Sequence, residues 1–398
     1  MKYLTKLLIA VFSLGMTGLT QAEVSYYKPS SKTGASLCVV VKDDVLAHTS
    51  QILPLNIKGG MINATGAGDQ TALVLKNLDY LLKKVDCSLN KLVKLNIYVA
   101  REELVAEVQQ RLTQELELIA QPACTYVVTK LPDPKALVAM DAVAATESSS
   151  KLTETKVFND APSGFRVALL PAGRTAYISG QAVKADTVSE AAILTMKELF
   201  QTLEYLGAKP KNIVHIKAFM TPMSQANEVT EMIDGIFPEE RRPPVSLVEW
   251  FSSLPIEIEM IVAMPEETPA SRPAETVTYK TPTGMKASPV YSRVAIAEVS
   301  DRIYVSGITS KEPGDYSTRI HSVFNQLKTI VGEAGSDMQH LAKATYYVSE
   351  DGISSDFGKI RTEYYNPKRP PAASKATVKS VGVPNRILVL DMIAIPAK

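Results

Sequence analysis

The chain has 398 residues, more than one compact core accommodates, and units of roughly 100–150 residues divide it into about three. Apolar residues make up 45% and charged residues 21%, which suits ordinary globular folding. The formal net charge is only +1 and Lys and Arg are scattered, which argues against the positive surface that nucleic-acid binding needs.

The first 22 residues have the form of a secretory signal peptide. Lys2 and Lys6 give a positive start, Leu7 to Leu19 is apolar, and Thr20-Gln21-Ala22 offers small residues for cleavage before Glu23. The apolar stretch falls short of the roughly 20 residues of a spanning helix. The expectation is a secreted or periplasmic protein with no membrane attachment after signal removal. Cys38, Cys87 and Cys124 cannot all pair within one chain, so a disulfide framework is excluded. One bridge with one free thiol, or three buried thiols, both fit, and buried Cys behaves as a small apolar residue.

Three strand-like runs then recur: Leu46 to Gln51, Thr175 to Gln181 and Arg302 to Gly307, with their serines about 130 residues apart. Each precedes a segment with apolar residues at helical spacing. These are Leu75, Leu78, Leu82 and Val85, then Ile193, Met196, Phe200 and Leu203, then Ile320, Val323, Leu327 and Ile330. One-sided helices of this kind must pack on a sheet. Gly207 and Gly335 suit the left-handed backbone that follows a helix, whereas the first copy carries Asp86-Cys87-Ser88 there. Further β-like runs follow at Leu92 to Val99, Ile213 to Met220 and Leu341 to Val348. A second helix is plain at Glu102 to Ile119 and Ala226 to Phe237. In the third copy Gly352 and Ser354-Ser355 mask it before Phe357, Ile360 and Tyr364. Each copy ends on a Pro-containing turn and closing strands at Val138 to Val143, Ile256 to Val262 and Ile387 to Ile395.

Polar joints at Ala145 to Ser150 and Pro265 to Ser271 read as linkers. The expected domains are 23–150, 151–272 and 273–398, after a signal at 1–22.

This series resembles the RidA/YjgF family. The second copy carries the clearest match, in Tyr177-Ile178-Ser179-Gly180-Gln181, Arg242 to Glu249 and Leu254 to Glu259. The third offers Tyr304 to Gly307 and Lys368 to Pro371, and the first Thr49-Ser50-Gln51, Pro122 to Thr125 and Lys130 to Pro132. The resemblance implies an α+β fold of three tandem RidA-like (chorismate-mutase-like) domains, each a mixed sheet with two helices on one face. Relatives of this type are homotrimers with a pocket at each subunit interface, so three copies in one chain imply a monomeric pseudo-trimer. The tether supplies a high effective concentration for closing such a ring.

The resemblance also implies cofactor-free hydrolysis of 2-imino acids or their enamine tautomers. An arginine holds the substrate carboxylate by paired hydrogen bonds, helped by a serine, a tyrosine and a glutamate. The arginine's place falls on Cys124, Val245 and Ala372 or Ala373. The serine persists as Ser50, Ser179 and Ser306. The glutamate persists as Glu257 against Ala139 and Val389, and the tyrosine is matched by Tyr291 in the third copy, at a spacing about two residues too long, and by Phe165 in the second. Arg242 and Arg369 belong to the approach to the turn.

Without the arginine, the expectation is a neutral, apolar pocket that binds small metabolites without efficient turnover. An altered deaminase using Ser179 and Glu257 is the alternative. Residues expected to line the pockets are Ser50, Cys124, Phe165, Val245, Tyr291, Ser306 and Ala372. His48, His215, His321 and His340 lie far apart in sequence with no second ligand at metal spacing, so neither metal nor cofactor is expected. Cys124 lacks a nearby histidine or cation and reads as an inert thiol. Glu257 and Glu259 share a strand face, expected to be exposed, and Trp250 is expected at a domain interface.

Overall fold

A computed structural model describes residues 23–56, 58–61, 66–147, 152–266, 273–350 and 352–397. The signal-like segment and Ser148-Ser149-Ser150, like residues 267–271 of the second joint, lie outside the described residues.

The first repeat contains β1 (Glu23–Ser30), β2 (Ala35–Lys42), β3 (Leu46–Thr49), α1 (Ala67–Lys83), β4 (Cys87–Val99), α2 (Val105–Leu116), β5 (Ala123–Val128) and β6 (Val138–Thr146). The second runs through β7 (Lys156–Asp160), β8 (Phe165–Leu170), β9 (Thr175–Gln181), α3 (Val188–Tyr205), β10 (Ile213–Met220), α4 (Ala226–Asp234), β11 (Val245–Glu249) and β12 (Ile256–Ala263). The third has β13 (Val277–Lys280), β14 (Val294–Ala297), β15 (Arg302–Thr309), α5 (Tyr316–Glu333), β16 (Leu341–Val348), α6 (Ile353–Tyr364), β17 (Ala372–Thr377) and β18 (Leu388–Ala394). The helix masked by Gly352 in the sequence forms as α6, because Ile353, Phe357 and Ile360 bury one side of it. After α3 and α5, Gly207 and Gly335 take φ of +70° and +84°. Asp86 performs the same turn after α1 at φ +57°, where the short polar side chain tolerates a backbone most residues avoid.

The strands form three six-stranded mixed sheets, and each sheet draws on two repeats. β5-β4-β6-β3 of the first repeat continue into the hairpin β8-β7 of the second; β11-β10-β12-β9 continue into β14-β13 of the third. The third sheet closes the circuit, because β17-β16-β18-β15 continue into β2-β1 from the N-terminal end of the described chain. In each sheet the β4/β5, β10/β11 or β16/β17 pair is parallel and all other neighbours run antiparallel.

Side chains alternate across each strand. In β4, Leu95, Ile97 and Val99 join Leu75, Leu78, Leu82, Val108 and Leu112 of α1 and α2 in one apolar core, and the other two sheets repeat the arrangement. The opposite faces meet each other. Val39, Leu46, Val143, Tyr177, Ile261, Tyr304 and Ile393 from all three sheets share a further core. Trp250 lies in an adjoining cluster with Tyr98, Phe219 and Tyr347, one aromatic from each sheet, so the expected interface position is what the fold provides.

The centre between the sheets is charged. Lys94 lies 3.0 Å from Asp391, Lys343 lies 2.8 Å from Glu259 and Lys217 lies 3.9 Å from Asp141. Each pair joins two different sheets, and the three pairs run round all of them. They enclose a cavity of about 50 Å³ that His48 and His215 also line, with ring centroids 6.3 Å apart. These histidines, separate in sequence, therefore meet in the core. Glu259 is buried too, contrary to the exposed strand face expected for it. Buried ion pairs add little net stability against well-packed apolar residues, but breaking one leaves an uncompensated charge, so this ring penalises misaligned sheets.

Candidate functional site

The three repeats place equivalent residues at three sheet-to-sheet junctions. Cys124, Val245 and Ala373 hold the same register, opposite Leu95, Ile216 and Ala344 respectively. Ala139, Glu257 and Val389 correspond likewise, opposite Tyr98, Phe219 and Tyr347. Ala372, the residue expected at the pocket, falls one position early: it pairs with Lys343 and is buried in the shared core, because one step along a strand turns the side chain to the other face.

Ser179 and Ser306 bond across junctions between sheets, whereas the bond of Ser50 runs to β8 within its own sheet. Ser179 Oγ donates to Ser292 O (2.5 Å) and accepts from Ala373 N–H (2.7 Å). Ser306 Oγ donates to Ser36 O (2.6 Å) and accepts from Cys124 N–H (2.9 Å), and Ser50 Oγ accepts from Arg166 N–H (3.0 Å). Ser179 is 3% exposed, so its hydroxyl is engaged by backbone from the hairpin and from the next sheet. Its geometry is that of a positioning residue.

The other two junctions carry different side chains at these places. At the first, Gln51 stands where the other repeats have Gly180 and Gly307. Its backbone N–H donates to Val245 O (3.0 Å) and its side-chain amide to Leu247 O (3.2 Å), and Phe165 packs into the first apolar core nearby. At the junction of the third and first repeats, Val389 and Thr125 press on Gly307, where an added Cβ would come within 2.7 Å of Val389. Cys124 is buried there and its thiol is pushed up to about 12 by burial, which Lys94 only partly offsets. All three cysteines are free and buried.

The junction of the second and third repeats holds a cleft of about 280 Å³. Gly180 of β9 and Glu257 of β12 form one wall. Ala373, Ser374 and Lys375 of β17 form another, Tyr291 comes from the segment before β14, and α6 with β16 contributes Ser354, Phe357, Arg361 and Tyr346. The absence of a side chain on Gly180 is what admits Glu257: a Cβ would sit 2.0 Å from its Oε1. Gly180 N–H donates to Ser374 Oγ at 3.1 Å, and Ser374 in turn hydrogen-bonds Glu257.

Burial, and next to it the charge of Glu259, raise the Glu257 carboxyl to about 7, against the pull of Ser374 and Lys375. Glu257 Oε1 has no hydrogen-bond partner. Lys375 Nζ donates to Ser354 Oγ at 2.6 Å. Arg361 lies over the rings of Phe357 and Tyr346, 4.5 and 5.3 Å from their centroids. The cleft is therefore neither neutral nor apolar, as the loss of the turn arginine had implied. Lys375 and Arg361 escaped sequence reasoning because they lie outside the motif position of the lost arginine. Tyr291 does line the cleft, with the Arg293 guanidinium 5.1 Å from its ring centroid.

The sequence pattern of the family described as endoribonuclease L-PSP matches residues 31–146, 160–264 and 281–395, three successive copies over most of the chain. The chain belongs to this family, the RidA/YjgF group. A RutC family protein of Sulfurisphaera tokodaii is 29% identical over 99 residues, covering 23% of this chain and 77% of that protein. Among solved structures, a Rid-family protein of unknown function from Yersinia pestis is 22% identical, covering 31% of this chain and 98% of its own, with a TM-score of 0.29. A YjgF-family member from Neisseria meningitidis is 15% identical, covering 31% and 96%, with a TM-score of 0.24.

Proposed function

We propose that this RidA/YjgF protein is an exported, single-chain counterpart of the family's trimer in which one cleft, between the second and third repeats, binds small imine-bearing carboxylates and hydrolyses them to oxo acids and ammonia. The observation that carries the reading is Glu257, a carboxyl balanced near neutrality inside the cleft at this junction. A group with that balance can give a proton to the imine nitrogen when neutral, and take one from the attacking water when ionised. Ser374 and Gly180 hold it in place, and Ser179 holds the two sheets at the spacing the cleft needs. Water adds across the C=N bond, and the resulting carbinolamine expels ammonia to leave the 2-oxo acid. None of these steps asks for a metal or an organic cofactor.

The test is release of ammonia and oxo acid from 2-iminobutanoate generated in situ. Turnover should follow a pH profile with an inflection near 7. Glu257→Gln should lower kcat by about 100-fold or more, in the range usual for loss of a general acid or base. Saturable binding of 2-oxobutanoate without any turnover would instead favour a metabolite-binding protein with no catalytic role.

A further inference from the structure

Two unsatisfied polar atoms of opposite kind belong to residues that line the same cleft. Glu257 Oε1, on the second repeat's sheet, has no partner, and neither does Arg361 Nε on α6 of the third repeat. A buried donor and a buried acceptor are each unfavourable when left unpaired, and in a folded protein such atoms call for an explanation. They do not answer each other: Arg361 is not among the charges that act on Glu257, whereas Lys375 is. Lys375 is tied to Ser354.

Among the described residues Arg361 has no acidic partner; a side-chain hydrogen bond to Tyr346 and the two rings beside it hold it. Its guanidinium lies over Phe357 and Tyr346, an arrangement that fixes the plane of the fork while leaving edge N–H groups to donate. A planar fork fixed in this way matches a carboxylate, which accepts two parallel hydrogen bonds. The sequence position that supplies this arginine in the family is Ala373 here, and Ala373 lines the same cleft. The small residue leaves room on β17, and the cation comes from the helix instead.

We infer that Arg361 is the carboxylate anchor of this cleft, so that the ligand spans from the helix of the third repeat to Glu257 of the second, with an acceptor at one end and an N–H group at the other. A 2-imino acid or the matching 2-amino acid has this pattern. The inference rests on the proposed use of the Glu257 cleft, and makes Arg361 the residue that sets specificity for an anionic over a neutral ligand.

Titration calorimetry with 2-oxobutanoate and its uncharged counterpart 2-oxobutanamide separates the possibilities. The unaltered protein should bind the acid at least about 10-fold more tightly than the amide, in keeping with a charge-assisted bidentate contact. Arg361→Gln should abolish that preference by weakening the acid alone, Arg361→Lys should restore part of it, and Glu257→Gln should leave it in place. Equal affinity for acid and amide in the unaltered protein, or an unchanged preference in Arg361→Gln, would overturn the assignment. Should Arg361→Gln fail to fold, modification of the unaltered protein by phenylglyoxal with peptide mapping supplies the same answer. Arg361 should be protected by 2-oxobutanoate and not by the amide, and equal labelling in both sinks the proposal. Acid-selective binding through Arg361 with no imine turnover leaves the anchor standing and removes the hydrolase. Glu257-dependent turnover indifferent to Arg361 does the reverse.

Discussion

At Gly180 a missing side chain sets the chemistry of the cleft. A methyl group there would meet the Glu257 carboxylate at 2.0 Å from Oε1, so Gly180→Ala must push Glu257 off its place beside Ser374. The backbone at Gly180 is not among those with positive φ, so alanine brings no backbone strain of its own. We expect kcat to fall by about 10-fold or more while the melting temperature moves by only a few degrees, measured side by side on one preparation. Gln51 illustrates the converse, since its amide fills the corresponding position of the first junction. Gln51→Ala should lower stability by about 1 kcal/mol in denaturant titration, through the lost bond to Leu247 O, and leave turnover unchanged. The three serines stand out in the sequence because they recur at a fixed place, and Glu257 because the family resemblance points to its position. Arg361 and Lys375 were not, for their meaning depends on which repeat faces which.

Among the elements, the helices and the strands on either side of them were readable from periodicity, down to Ile213–Met220 and Leu341–Val348 at both ends, whereas the leading hairpins β1-β2, β7-β8 and β13-β14 went unread. Local sequence was silent on the passage of each leading hairpin into the neighbouring sheet, since a two-residue repeat says that a strand forms and not beside which strand it lies. Arg302 shows how one crossing is secured. Its buried guanidinium donates to Tyr177 OH (3.0 Å), Gly173 O (2.9 Å), Thr175 Oγ1 (2.8 Å), Asp301 O (2.8 Å) and Val299 O. The third repeat thereby ties down the turn that leads from β8 to β9. Arg302→Met would leave these acceptors buried and unpaired, and should lower unfolding free energy by about 2–4 kcal/mol, read from the shift of the urea midpoint at constant slope.

For the molecule as a whole, acid is the condition that tests the charged centre. Burial depresses His48 to about 3 and His215 to about 4, below the ordinary histidine value of 6.5. Between pH 6.5 and about 4 the unfolded chain therefore binds protons that the native protein refuses, and stability falls as pH drops through that window. At Asp141 burial opposes ionisation, but Lys217, His215 and the bonds from Tyr98 and Asn96 prevail and hold the carboxyl at about 2, so its contribution is lost below about pH 4. Glu257 acts in the opposite sense, because a raised carboxyl favours the native state at low pH and loses that advantage as pH rises towards 7. The two histidines outweigh it, and urea midpoints should decline from pH 6.5 to 4 by several kcal/mol in free energy. A His48→Asn, His215→Asn variant should give a flatter curve over the same range. Light scattering at micromolar concentration should report a single chain, since the three sheets already close on one another.

The circuit of sheets also fixes an order of events during synthesis. The third sheet joins the hairpin Glu23–Lys42 to strands that begin at Arg302, so its first pieces are made long before its last. At about 5–20 residues per second, the roughly 260 residues between them take on the order of 15–50 s to emerge. Throughout that interval the first sheet can complete itself with β7 and β8, then the second with β13 and β14, while the N-terminal hairpin waits with both edges unpaired. The earliest-made part of the described chain is thus the last to find its place, and any factor that shields nascent strands has its longest task there.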